Sequence, residues 1–457
     1  MTRFQSIPFD RLETGMSAEI RRLCVMDDLL VFAHSSGNLN PLHLAGADEG
    51  AQPVAPSMWL GSLISAVLGD KLPGPGTLYK SQSLQFHRRV SPGDELVIRV
   101  ELTGKGPDRT TRFLTTVSLT DGTPVVTGVA EVTAPDKTIS VDAADLPGLN
   151  VQRHVHFDRL LQAVEAVEPL PTAVVVPEDA NSLGGALLGA QHGLIVPLLV
   201  GDPGRIRAAA DELGVDISAF QIVAAEGDQD AAARAVTMVR EGQARALMKG
   251  HLHTDILLSQ VLRHDTGLRT GKRLSHVFVM DVPGLPHPLA VTDGAINIAP
   301  DLETKVDIIQ NAVDMLHALG VEKPRVAILS AVETINPKIP STLDAAILCK
   351  MADRGQIRGA VLDGPLAMDN AVDAEAARIK GITSMVAGQA QLLVAPNLDA
   401  GNMLAKELTY VAHAEAAGLV LGARCPIILT SRADNDKSRL ASCAVAVLCA
   451  RNAGRRG

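Results

Sequence analysis

Residues 425–439 read Cys425-Pro426-Ile427-Ile428-Leu429-Thr430-Ser431-Arg432-Ala433-Asp434-Asn435-Asp436-Lys437-Ser438-Arg439. The apolar run at 427–430 reads as a buried strand, the polar residues after it as a loop, and 437–449 as the last helix. The same strand–loop–helix unit recurs outward from this point. Short apolar runs at 173–176, 195–200, 246–248, 277–280, 326–329, 359–362, 392–394 and 419–421 alternate with Ala-rich helical stretches, among them 301–319 and 341–351. Such alternation predicts an α/β fold with a mostly parallel sheet covered on both faces. There are enough units for two lobes, about 158–295 with 427–457 and about 296–426, and folds of this kind leave a ligand cleft between lobes.

Toward the N-terminus the periodicity changes. Residues 138–157 are mixed, with no sustained period, and read as a linker. Before them, Ser57–Asp70 is apolar at Met58, Leu60, Leu63, Ile64, Val67 and Leu68, which is helical spacing with enough apolar girth for burial. The runs 77–87, 95–103, 112–120 and 124–133 follow, divided by turns such as Ser91-Pro92-Gly93-Asp94 and Asp121-Gly122. One buried helix followed by long antiparallel strands describes a sheet wrapped around a helix. Residues 1–137 are therefore expected to be a separate α+β domain.

The aromatic residues divide at the same place. Phe4, Phe9, Phe32, Trp59, Tyr79, Phe86, Phe113 and Phe157 precede residue 158, whereas only Phe220, Phe278 and Tyr410 serve the rest. The overall aromatic share of 2% and the net charge of -9 argue against a single-stranded nucleic-acid partner, which wants stacking platforms and positive charge. The chain is expected to have no membrane partner either, because the longest apolar stretch, around Gly193 to Gly201, falls well short of a membrane helix. Five scattered cysteines without a C-x-x-C pair fit a reducing compartment, and no cluster of metal ligands appears. A soluble cytoplasmic protein with no secretory leader is the expectation.

The loop at 430–436 carries the clearest chemistry. A strand end feeding a helix N-terminus offers free N–H groups and positive dipole to an anion. Arg432 adds a bidentate donor for phosphate and Ser431 a hydroxyl suited to an oxyanion. The same residues also fit a helix cap by Asp434 or Asn435 with Arg432 merely solvated. Further polar motifs mostly follow predicted strands: Met248-Lys249-Gly250-His251-Leu252-His253-Thr254-Asp255, Gly267-Leu268-Arg269-Thr270-Gly271-Lys272-Arg273-Leu274-Ser275-His276, Val291-Thr292-Asp293-Gly294-Ala295-Ile296-Asn297-Ile298-Ala299-Pro300, Asp363-Gly364-Pro365-Leu366-Ala367-Met368-Asp369-Asn370 and Pro396-Asn397-Leu398-Asp399-Ala400-Gly401-Asn402.

Taken with the Ser431-Arg432 loop, these motifs resemble the phosphate acetyl/butyryltransferase family over residues 158–457, and stand closer to its butyryl branch in 267–276, 291–302 and 351–372. The resemblance implies a transferase that converts acyl-CoA and phosphate into acyl phosphate and coenzyme A, with both as substrates and no covalently bound cofactor or metal. It implies that Ser431 stabilises the oxyanion or departing thiolate and that Arg432 holds phosphate. Lys249, Thr254, Arg269, Asp293, Asn297 and Ser438 become substrate-binding candidates. The plainer alternatives are surface charge for the cations, a helix cap for Thr254 and a turn for Asp293. Acetyl-type relatives carry an arginine where Leu258 stands and an acid where Ser438 stands, so Asp434 or Asp436 takes the acid's place. Cys425 reads as structural.

The N-terminal stretch Phe32-Ala33-His34-Ser35-Ser36-Gly37-Asn38-Leu39-Asn40-Pro41-Leu42-His43 resembles the MaoC-like, R-specific enoyl-CoA hydratases of hot-dog fold over residues 10–137. That family's pattern of an acid, x-Asn-Pro, a small or apolar residue and His places its histidine at His43 but its acid at Asn38. An amide is no base. The relatives' His-x-Asp continuation is also absent, Ala45 following Leu44, and Pro56-Ser57 replaces a His-Gly step. His34 and His87 are alternative bases. The expectation is an active transferase with an impaired hydratase-like domain, against a true bifunctional enzyme or a non-catalytic acyl-CoA sensor. Both families imply a homodimer or higher homo-oligomer, in line with the general frequency of symmetric assemblies.

Overall fold

The computed structural model describes residues 3–44, 52–142, 151, 153–429 and 434–456, and the chain forms two compact units, Met1–Val151 and Gln152–Gly457. In the first, β1 (Arg3–Gln5), β2 (Ser17–Leu23), α1 (Met26–Ser36), α2 (Ser57–Asp70), β3 (Leu78–Phe86), β4 (Glu95–Lys105), β5 (Thr110–Leu119), β6 (Pro124–Thr133) and β7 (Ser140–Asp142) follow in order. Five strands make one antiparallel sheet in the order β2-β4-β5-β6-β3, and it wraps α2. The alternation along β4 explains why. Leu96, Ile98, Val100 and Leu102 are fully buried on one face, as are Phe113 and Val117 of β5, and they meet Trp59, Leu60, Ile64, Val67 and Leu68 of α2. This is the sheet wrapped around one helix that the pattern predicted, and the hot-dog fold that the resemblance implies. Ile64→Val should remove one buried methyl at a cost of about 1 kcal/mol, seen in urea as a lower midpoint at unchanged slope.

The second unit runs α3 (Val155–Gln162), β8 (Leu170–Val175), α4 (Ala180–Gln191), β9 (Ile195–Gly201), α5 (Pro203–Leu213), β10 (Gln221–Ala224), α6 (Gly227–Arg240), β11 (Ala246–Lys249), α7 (Thr254–Val261), β12 (Ser275–Asp281) and β13 (Leu289–Thr292). It continues with α8 (Leu302–Ala318), β14 (Arg325–Leu329), α9 (Pro340–Asp353), β15 (Val361–Leu366), α10 (Met368–Val372), α11 (Ala374–Ile379), β16 (Leu392–Val394), α12 (Leu398–Tyr410), β17 (Glu415–Leu421), β18 (Ile427–Ile428) and α13 (Asp436–Arg456). All its strands join one sheet in the order β10-β9-β8-β11-β18-β17-β12-β13-β16-β14-β15. Most neighbours are parallel, and the antiparallel pairs β18–β17, β17–β12 and β12–β13 sit at its centre. Ala173, Val174 and Val175 are buried in succession, as strands covered on both faces require. Helices pack closely through Ala231, Ala232 and Ala235 of α6 and Ala441, Ala444 and Ala446 of α13, which is why so few aromatics suffice.

Three expectations are corrected. The segment read as a linker contains β7, which pairs with β1, and the start of α3. The strands β12 and β13, assigned to the first lobe, are hydrogen-bonded between β17 and β16 of the second, because the β12–β13 hairpin folds back into the middle of the sheet. The strand expected at 359–362 begins at Val361, since Gly359 turns with positive φ against His317.

Candidate active site

The centre of the sheet sets where each loop emerges. The strands β11 and β18 run parallel, β17 runs against β18, β12 against β17, and β13 against β12. The loop after β13 therefore leaves the edge opposite the one where β11 and β18 end. The site candidates split between these two edges.

At the first edge, Lys249 closes β11 and Thr254 opens α7. Between them Gly250 is required by close approach: a Cβ there would lie 2.4 Å from the carbonyl oxygen of Val176 and 2.5 Å from that of Val175. The His251 Nδ1 is hydrogen-bonded to Asp179 Oδ2 at 2.5 Å, and Asp179 also accepts the Ser182 N–H and hydroxyl at the start of α4. Burial works against the charge on Asp179, but these hydrogen bonds hold its carboxyl below the usual range. Thr254 is not the cap of α7, because His253 occupies that position.

The same edge receives the segment that follows β18. Ser431 and Arg432 lie outside the described residues. Beyond them, Asn435 is the residue that caps α13, its Oδ1 accepting the Ser438 N–H at 2.8 Å. The Asp434 carbonyl accepts from Arg439 Nε at 3.1 Å. Ser438 is buried, and its carbonyl accepts the Ser442 hydroxyl, which in turn accepts the Gly418 N–H. It thus stands in the contact between helix and sheet. Sequence reasoning passed over Arg439, whose guanidinium reaches the Asn181 carbonyl at 2.9 Å and Oδ1 at 2.6 Å and ties α13 to α4. The signal was a second Ser–Arg pair, 438–439, in the same stretch.

At the opposite edge, Asp293 is buried and accepts the N–H groups of Ala295 (2.9 Å), Ile296 (3.0 Å) and Asn297 (3.3 Å), as well as Asn297 Nδ2 (2.6 Å). Asn297 Nδ2 also reaches the Leu274 carbonyl at 2.9 Å. Both residues shape the turn after β13. Arg269 and Asn297 line a cavity of about 490 Å³ with Lys272 and Arg273, and Lys272 is paired with Asp314 at 2.6 Å.

His276, in β12 beside Asp293, is buried with Nδ1 lacking a partner among the described residues, and packs edge-on against Phe278 at 4.2 Å. Burial pushes its pKa down to about 4 despite the nearby Asp293 carboxylate. Between about 6.5 and about 4 the unfolded chain binds a proton that the folded chain refuses, so stability falls as pH falls through that window. Urea midpoints measured from pH 8 to 4 should decline more steeply for the wild type than for His276→Asn. Equal slopes would refute the assignment.

In the N-terminal unit, Asn38 is exposed and its Oδ1 accepts the Asn40 N–H at 3.2 Å; Asn40 Oδ1 in turn accepts the Leu42 N–H. His43 Nδ1 lies 2.7 Å from the Val54 carbonyl. A carbonyl can only accept, so Nδ1 carries the hydrogen and Nε2 presents the lone pair of the neutral ring. His87 Nε2 is engaged by the Thr127 hydroxyl at 2.7 Å.

Burial pushes the Cys425 thiol up to about 12, which leaves no thiolate for nucleophilic attack. Among the described residues no group of three His, Cys, Asp or Glu side chains could hold a metal ion, and no helix is long and apolar enough to cross a membrane.

The second unit is a large mostly parallel α/β sheet with polar strand ends feeding helix N-termini, and the relatives place it in the acyltransferase class. The family model for phosphate acetyl/butaryl transferases matches residues 224–447, and that for the MaoC like domain matches residues 9–123. The phosphate acetyltransferase of Rhizobium meliloti is 60% identical over 294 residues, 64% of this chain and 93% of that protein. The phosphate butyryltransferase of Clostridium acetobutylicum is 43% identical over 296 residues, 65% of this chain and 98% of that protein. The crystal structure of a branched-chain phosphotransacylase from Enterococcus faecalis superposes with a TM-score of 0.55 at 30% identity, covering 62% of this chain and 99% of that one. The chain belongs to the phosphate acetyl/butyryltransferase family and carries a MaoC-like hot-dog domain at its N-terminus. Against the nearness to the butyryl branch read from three motifs, identity to the acetyltransferase is the higher.

Proposed function

We propose that this enzyme transfers a short acyl group, acetyl or butyryl, between coenzyme A and inorganic phosphate. In the forward direction a phosphate oxygen attacks the thioester carbonyl, the C–S bond breaks, and coenzyme A leaves as the thiolate. Arg432 holds the phosphate by a bidentate contact, and Ser431 hydrogen-bonds the oxyanion or departing thiolate. The N-terminus of α13 adds its positive dipole to the anion that Arg432 holds. Lys249 and Thr254 share this edge and serve substrate binding, and Asp434 takes the place of the acid that assists proton removal. Arg269 and Asn297 belong to the opposite edge and are assigned no part in the chemical step. The observation that carries this reading is the 60% identity extending over 93% of a phosphate acetyltransferase.

The test follows free thiol release from acetyl-, butyryl- and crotonyl-CoA with and without phosphate. Phosphate-dependent release from acetyl- or butyryl-CoA supports the reading, and none from any thioester with folded protein sinks it. The N-terminal unit we read as an acyl-CoA-binding hot-dog domain with impaired hydration, since Asn38 offers no proton acceptor. The enzyme works as a homodimer or larger assembly, which sedimentation equilibrium reads directly. Its free cysteines suit the cytoplasm.

A further inference from the structure

A cavity of about 300 Å³ opens beside α3, and its walls include none of the residues assigned to substrates above. The floor is apolar, with Leu160 of α3, Val279 of β12, Leu316 of α8 and Leu448 of α13. Four polar side chains join them: His156, Arg159, His287 and Gln391. On α3 the lining residues His156, Arg159, Leu160 and Ala163 recur at the three- and four-residue spacing that puts side chains on one face.

Each polar side chain has one end spent and another open. His156 is only 7% exposed, and its Nε2 donates to the Leu285 carbonyl at 2.9 Å. Its Nδ1 therefore carries the lone pair of the neutral ring and has no partner among the described residues. A polar group so buried ordinarily has all its hydrogen bonds made. His287 is half-buried, with Nδ1 donating to the Pro288 carbonyl at 3.2 Å. Burial lowers its pKa, and the nearby Arg325 and His156 add to that, so the ring stays neutral and Nε2 is a second acceptor. Gln391 Oε1 accepts the Arg325 N–H at 3.2 Å, which leaves Nε2 as a donor. Arg159 is exposed, and no ion pair engages its guanidinium among the described residues. No Asp or Glu is among the described residues that line the cavity.

A guanidinium and an amide donor with no acid beside them call for an anion. An imidazole lone pair three residues away on the same helix face calls for a hydroxyl. The floor calls for hydrocarbon, and the volume, at the lower end for ligand pockets, calls for few atoms. We propose that this cavity binds a short aliphatic hydroxy acid. The carboxylate meets Arg159 and Gln391 Nε2, the hydroxyl donates to His156 Nδ1, and the hydrocarbon covers Leu160 and Leu448. A plain fatty acid leaves the imidazole unpaired, and an alcohol leaves the guanidinium unpaired. No bond is made or broken. The ligand links α3, the loop between β12 and β13 and the entry to β16, so it stabilises the second unit by mass action.

The experiment is calorimetric titration of the full-length chain with β-hydroxybutyrate, butyrate and sec-butanol. The hydroxy acid should bind with Kd between about 0.1 and 1 mM, as a ligand of so few atoms allows, and each of the others at least about 10-fold more weakly. Two variants at exposed positions locate the site. Arg159→Ala should weaken β-hydroxybutyrate at least about 10-fold, and Ala163→Trp should block it. Without any substitution, hydrogen exchange along residues 156–163 of the wild type should slow when the hydroxy acid is added. Three results would each overturn the proposal: no binding by the wild type, butyrate as tight as its hydroxylated analogue, or binding that neither variant changes. Unaltered exchange in α3 at saturating hydroxy acid would overturn it too.

Discussion

Arg432→Ala should lower kcat/KM for phosphate by about 10²- to 10³-fold, roughly 3–4 kcal/mol of transition-state stabilisation, while KM for acetyl-CoA stays within a factor of about three. The asymmetry follows from the charges. A guanidinium is the one side chain that meets a phosphate with two parallel charge-assisted hydrogen bonds, and in a site closed to water those bonds are worth more than they are at a surface. The thioester offers no phosphoryl group for the position assigned to Arg432, so its binding should change little. Lysine at 432 keeps the charge but not the fork, so Arg432→Lys should fall between alanine and wild type. Initial rates of thiol release with each substrate varied in turn separate the two KM values. Equal loss for phosphate and thioester would show that Arg432 holds the loop together and does not hold the substrate.

Why this residue pair could be singled out from sequence, and others could not, has a physical basis. Helix α2 and strand β6 carry their period within their own residues, and they stand where the apolar spacing places them. Strand β10 offers only Ile222 and Val223 between Gln221 and Ala224, because an edge strand needs little apolar surface. Strand β13 is four buried residues, too short to show a period. Its direction matters more than its existence. Whether a strand runs with or against its neighbour is decided by the chain on either side of it, so the motif 291–300 could be seen as a turn motif without revealing the edge from which it emerges. That is how Asp293, Asn297 and Arg269 came to be grouped with Lys249 and Thr254, and why the sheet separates them.

The low aromatic content is legible in the same terms. Alanines at the helix–sheet contacts of the second unit let helices lie close to the strands, and the core there is filled by branched aliphatics. The hot-dog unit must fill the wider space between one helix and a curved sheet, and it does so with Phe113 and Trp59.

Asn38→Asp should raise the rate of crotonyl-CoA hydration by about 10²-fold or more, the ordinary contribution of a positioned general base. The scaffold for that base is already present. The Asn38 Oδ1 accepts the Asn40 N–H, and a carboxylate of the same shape keeps that bond. Asn40 caps the turn Pro41–His43, and His43 is oriented by the Val54 carbonyl so that Nε2 is the nitrogen presented outward. What position 38 lacks in the wild-type chain is a side chain that accepts a proton. With the carboxylate in place, water loses a proton to it as the oxygen bonds the β carbon of the enoyl thioester, the lone pair on His43 Nε2 accepts a hydrogen bond from that water, and the carboxylic acid so formed returns the proton to the α carbon. The gain should vanish in the Asn38→Asp/His43→Ala double variant, because the two groups act in one step. Phosphate-dependent thiol release by the second unit should be unchanged in both variants. Loss of enoyl absorbance measures the outcome. A single variant no faster than wild type would mean that Asn38 is not the acid position, and hydration surviving His43→Ala would place the histidine elsewhere, with His34 and His87 the residues to test next.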